Sequence, residues 1–151
     1  MHPTEFVRRH SGFQGQFGIA RTEITPPVGI YARNWGAAAQ DIAESIHRPL
    51  TLTALLIRQS ADTEPLILID ADLGWWRSLQ LFHSFRQRIL DQAGLQKCRF
   101  VFALTHSHAT APLMEPDAAL PSTEPIGPWI ETIVIKTIDL IRQAGETLFD
   151  G

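Results

Sequence analysis

The apolar positions of this chain fall into two rhythms. From Phe17 to Ile24 they alternate with polar ones, as in a strand, and Thr25-Pro26-Pro27 stops the run because proline donates no ladder hydrogen bond. Leu50 to Ile57 begins with period two and ends as a continuous apolar run rich in β-branched residues, a second strand. Ser60 to Pro65 reads as a turn, and Leu66 to Ile69 as a fully apolar strand that pairs back as an antiparallel hairpin. The rhythm then changes. In Trp75 to Ala93, residues Leu79, Phe82, Phe85, Ile89 and Leu90 share one helical face, and Gly94 is placed to end the helix. Phe100 to Leu104 is another buried strand. A last helix has Pro128 in its first turn. Its apolar face holds Ile130, Ile133, Val134, Thr137, Ile138 and Ile141, and Gly145 can end it.

Two stretches lack such a period. Residues 1–16 are polar and predict a flexible N-terminus, leaving 17–151 as one domain. Val28 to Glu44 is a long Gly- and Ala-rich loop, with Arg33, Trp35 and the run Ala37 to Ala39. Loops of that length in compact domains are often functional. Arg33 and Trp35 would suit a substrate-binding wall; the plainer reading is a surface loop pinned by one Trp.

The order of elements predicts an α/β fold: a mixed sheet with helices packed on it and a strand-helix-strand crossover. A right-handed crossover makes the Leu66 and Phe100 strands parallel, so both end at the same sheet edge. Asp70 and Asp72 follow the first of them, and Thr105-His106-Ser107-His108 follows the second. Ligands bind outside the carboxyl ends of parallel strands.

Composition narrows the function. With 44% hydrophobic and 19% charged residues, the chain can fill a globular core. A net charge of −3 with scattered basic residues excludes a nucleic-acid footprint. Cys98, the one cysteine, permits no intrachain disulfide and no cysteine cluster for zinc, and reads as a buried structural thiol. The first residues lack the apolar stretch of a signal peptide, and no run reaches the ~18 apolar residues of a membrane helix. The expectation is a cytoplasmic protein, with secretion open if the start is misassigned.

Two histidines one residue apart in extended backbone share a face and can reach one ion. If the chain turns after Leu104, one can bind metal while the other faces a substrate. Neutral imidazole suits zinc, but a catalytic zinc needs about three protein ligands and a water, so two histidines are too few. Asp70 or Asp72 could complete the set or orient a histidine through its second ring nitrogen. The pair is also compatible with an ordinary polar loop. His47 either lines the site or has a structural role, and His83 sits on a helix. Trp35, Trp75 and Trp76 offer an apolar wall to a lipid-like substrate, or pack in the core.

With these residues set out, the chain from about Phe17 to Leu148 resembles the N-terminal domain of neutral/alkaline non-lysosomal ceramidases. Gly18 to Thr25 is similar to that family's opening strand, Ile46 to Leu55 to its next strand, and Ile67 to Gly74 to an apolar strand ending in Asp-x-Gly. The most specific match is Leu104 to Pro112, which resembles the family's Thr-His-Thr-His-Ser-Gly-Pro segment. The resemblance implies hydrolysis of a linear amide of ceramide type, with a zinc-activated water releasing fatty acid and sphingoid base. It assigns His106 as metal ligand, sets His108 beside the metal or substrate and puts Asp72 on the family's aspartate, which makes His108 and Asp72 the candidate catalytic residues; Arg33, Trp35 and Trp75 stand beside them as the substrate-binding candidates read from the residues themselves. The sequence departs from the pattern at Ala109-Thr110-Ala111, which leaves substrate identity open. Family enzymes are longer, and their remaining ligands, a histidine, a glutamate and a tyrosine, lie in downstream segments. The expectation is therefore part of a larger ceramidase-like domain, inactive alone and prone to self-association. Two alternatives stay open: a non-catalytic binding or scaffold protein, and a different metal hydrolase, acting on a phosphoester or a sugar-derived amide, with a two-metal site built on Asp70 and Asp72.

Overall fold

The computed structural model describes residues 12–151, so most of the loose terminus expected over 1–16 lies outside the described residues, as does the side chain of Cys98. Strands β1 (Gln16–Glu23), β2 (Thr51–Arg58) and β3 (Leu66–Ala71) are followed by helix α1 (Leu79–Ala93), strand β4 (Phe100–Leu104), helix α2 (Ile126–Glu146) and the two-residue strand β5 (Phe149–Asp150). They form one mixed sheet in the order β4-β3-β2-β1-β5. The β2–β3 hairpin is antiparallel, and β3 and β4 are parallel, with Ala71 level with Leu104.

Three local features differ from the sequence pattern. Helix α1 begins at Leu79, not Trp75, because the Ser78 hydroxyl accepts from the Leu81 amide and caps the helix there. Before the cap, Trp76 forms an isolated parallel bridge with Leu113, and the Arg77 amide donates to the Leu113 carbonyl. Leu79, placed on the helix's apolar face by spacing, is exposed, while Phe85, Ile89 and Leu90 are buried. The far end follows the sequence: Gly94 adopts the left-handed conformation and its amide bonds to Leu90. Third, β5 is a strand no pattern announces, where Phe149 pairs with Phe17. Beside it, Gly15 and Gly151 exchange two backbone hydrogen bonds of 3.0 Å.

The core lies between the sheet and the two helices. Alternation in β2 and β3 turns Leu52, Ala54, Leu56, Ile67, Ile69 and Ala71 toward it. Helix α2 buries the apolar face expected of it except for Ile138, which is only partly covered. Its Trp129 indole donates to the Ile24 carbonyl at 2.8 Å, tying the helix to the end of β1. Among the described residues no helix is long and apolar enough to cross a membrane.

The opposite face of the sheet is polar at one end, through Arg21, Thr53 and Asp70, and apolar and open at the other. Register aligns Ile19, Leu55, Leu68 and Val101 in one row across four strands. A second row runs through Phe149, Phe17, Ile57 and Leu66. Ile19 is 54% exposed, Val101 48% and Phe149 51%.

Candidate functional site

The parallel β3–β4 pair delivers both strand ends to one edge, as the crossover requires. Pairing continues past the strands: the Thr105 amide donates to Ala71 and the Ser107 amide to Leu73, each at 2.9 Å. Between those bonds the chain turns sharply at His106, whose φ is +62°. A non-glycine residue there is uncommon, and such strain gathers at functional sites. The turn leaves both imidazoles exposed, with ring centroids 5.1 Å apart.

Each imidazole is stacked on a tryptophan. Trp75 lies against His106 at 5.3 Å and 26° from parallel, and Trp35 against His108 at 4.4 Å and 27°. Trp75 also meets His108 edge to face at 5.6 Å. The structure thus brings together four residues singled out in the sequence: Trp35, Trp75, His106 and His108. It separates the adjacent tryptophans, since Trp76 packs against Phe82 and Phe85.

Trp35 reaches the site on an irregular hairpin. Gly29 and Ala43, Ala43 and Ile30, and Ala32 and Asp41 are joined by backbone hydrogen bonds, and the Tyr31 amide donates to Ser122. The long loop is therefore pinned, with Ile30 and Tyr31 buried beneath it. Arg33 is drawn to Asp41 of the same hairpin: its Nε lies 2.5 Å from Oδ1, an ion pair without hydrogen-bond geometry. The Arg33 carbonyl accepts from Arg77.

The two aspartates have different places. Asp72 Oδ2 accepts from both the amide and the hydroxyl of Thr51, each at 2.8 Å, fastening the end of β3 to the start of β2. Asp70 is exposed, in register with Thr53 and Ala103. Among the described residues no group of three or more His, Cys, Asp or Glu side chains is placed to hold a metal ion. The two histidines match zinc in kind; the described residues do not supply the number of ligands it needs.

Sequence reasoning missed Asn34. Its side chain is 1% exposed, and neither amide atom has a hydrogen-bond partner. It presses on Gly74, where an added Cβ would meet Asn34 Nδ2 at 2.2 Å and the Ser107 carbonyl at 3.0 Å. Gly74 is thus required for the hairpin and the histidine turn to approach. No periodicity marks an Asn between Arg33 and Trp35, so nothing local singles it out. His47 lies on a cavity beside the site, and His83 is exposed on α1.

The fold is a mixed α/β layer of the kind found in part of a ceramidase domain. The crystal structure of neutral ceramidase from Pseudomonas aeruginosa superposes with a TM-score of 0.66 at 17% identity, covering 91% of this chain and 22% of that one. A ceramidase complexed with C2 gives 0.60 at 17% identity and the same coverage, 91% and 22%. The chain thus spans about a fifth of the length of these structures, 22%. No family model and no curated protein sequence matches it.

Proposed function

We propose that this chain is the histidine-bearing part of a zinc-dependent amidohydrolase that splits a ceramide-like N-acyl substrate into a fatty acid and a long-chain base. The observation that carries the reading is the His106–His108 pair, stacked on Trp75 and Trp35 at the carboxyl edge of two parallel strands. The likeness in fold to the ceramidase structures supports it.

In this reading His106 is one zinc ligand and the others come from outside the described residues, which do not complete the site. His108 faces the substrate. Trp75 and Trp35 hold the imidazoles by their faces, and Trp35, 52% exposed, offers its outer surface to hydrocarbon. Asp72 holds the strand end in place through Thr51. Arg33 closes the hairpin that presents Trp35, through its pairing with Asp41.

The full-length gene product tests this. It should carry near-stoichiometric zinc and hydrolyse an N-acyl long-chain amine, and His106→Ala should abolish both. Metal content and turnover unchanged in His106→Ala would overturn the reading.

A further inference from the structure

The hairpin, the segment leading into β2 and the stretch Ala109 to Ala111 enclose a cavity of about 540 Å³ immediately beside the histidine turn. That lies within the range of small-molecule sites, about 300–1,000 Å³. A larger depression of about 830 Å³ opens at the far end of the strands among Gln14, Gln16 and Ser60, away from the histidines.

Part of the smaller cavity's wall, between polar stretches at Thr25, Gln40 and Ser45, is hydrocarbon turned toward solvent: Val28 is 54% exposed, Ile42 37% and Ile46 50%, and all three line it. Exposed apolar side chains gathered around one concavity mark a ligand surface. Alanines clear the space, since Ala38, Ala39, Ala43, Ala109 and Ala111 are all lining residues. The alanine run of the loop and the departure at Ala109-Thr110-Ala111 thus share a physical consequence. One buried polar group is set in the wall. Thr110 is 3% exposed and its Oγ1 has no hydrogen-bond partner. A buried hydroxyl in a folded chain normally has one, and a hydroxyl can both donate and accept. Thr110 stands two residues past His108. Arg48 and His47, exposed, stand at the rim with Glu44.

The geometry points to this cavity as the seat of an unbranched acyl chain, its carbonyl end at the Thr110 hydroxyl. The inference rests on the lipid-amide reading, for which it identifies the arm of the substrate that this chain binds. The apolar wall recognises the methylenes and Thr110, two residues along the chain from His108, the one polar group of the acyl arm.

Calorimetric titration of the metal-stripped full-length gene product with hexanoate, octanoate and decanoate, and with the matching primary amides, tests it. Affinity should rise about fourfold per added methylene in both series. Ala39→Phe, at an exposed lining position, fills the cavity and should flatten that dependence. Thr110→Val should weaken every member about 2- to 12-fold and leave the slope unchanged. A flat series in the wild-type chain, or a series in Ala39→Phe equal to wild type, overturns the assignment. So do carboxylates that bind when the amides do not, since the cavity would then hold a product and not the substrate's arm. The titration is blind to zinc. Chain-length-dependent binding alongside an unaffected His106→Ala enzyme would sink the zinc reading alone; a flat series alongside zinc-dependent turnover would sink the cavity alone.

Discussion

Trp35 lies flat against His108, with ring centroids 4.4 Å apart and planes 27° from parallel. The two residues come from segments far apart in the chain, so the stack reports directly on how the hairpin docks against the histidine turn. A ring stacked on an indole face has its protons shifted upfield. In proton NMR spectra the His108 ring signals should lie upfield and return toward ordinary values in Trp35→Ala, while those of His106 keep the shift imposed by Trp75. Stacked aromatic pairs contribute about 0.5–1.5 kcal/mol, and Trp35 is half exposed, so the variant should stay folded. Unchanged His108 shifts would mean that the hairpin does not dock as described.

The backbone at His106 makes a second prediction. Glycine ordinarily lowers stability relative to alanine through its greater freedom when unfolded. At a φ of +62° the order should reverse, because an L side chain in the left-handed region costs roughly 1–2 kcal/mol. His106→Ala and His106→Gly lose the Trp75 stack equally, so their difference isolates the backbone. In urea denaturation the glycine variant should be the more stable by about 1 kcal/mol. An alanine variant of equal or greater stability would refute the turn.

The two helices are joined by a forked ion pair between Arg88 and Glu131. The hydrogen bond from Arg88 holds the Glu131 carboxyl below its ordinary value of 4.5; partial burial opposes this and the Arg88 charge adds to it. A carboxyl depressed in the folded state contributes stability that is complete above its unfolded pKa and lost as pH falls through the folded one. Both side chains are well exposed, at 45% and 44%, so solvent screening limits the pair to less than about 1 kcal/mol. Glu131→Gln should therefore melt slightly lower than wild type at neutral pH. The gap should close as pH falls below about 4 and should narrow in high salt. A gap that persists in acid would assign the effect to something other than charge.

The open sheet face leads to the fourth prediction. Two apolar rows with Ile19, Val101 and Phe149 about half exposed form a contiguous patch, and patches of this kind promote association. The 151-residue chain should sediment as associated species at micromolar concentration. Ile19→Lys with Val101→Lys should shift it toward monomer without lowering the unfolding midpoint, since both side chains face solvent. A wild-type chain that stays monomeric would show that the face needs no cover.

Much of the frame was written locally. Strands β1 to β4 and both helices announce themselves because a half-buried strand and an amphipathic helix each impose a period on their own residues. The crossover follows from their order, and it places Asp72 and the two histidines at one edge. Strand β5 left no such mark, because two residues cannot display a period. The start of α1 turned on the Ser78 cap, which competed with an apolar pattern running back to Trp75.

At the site the division is sharper. His106 and His108 were legible from the sequence, as a pair at the end of an apolar run. Which ring each tryptophan covers was not, nor was the positive φ of His106. The same holds for the burial of Asn34 and the cavity that ends on Thr110. These depend on residues 24–50, where no period exists and position is set by distant partners, such as the bond from Tyr31 to Ser122. Periodicity records how one segment meets the core. The meeting of two irregular segments is decided by close packing and by hydrogen bonds between residues far apart, and that only the tertiary structure determines.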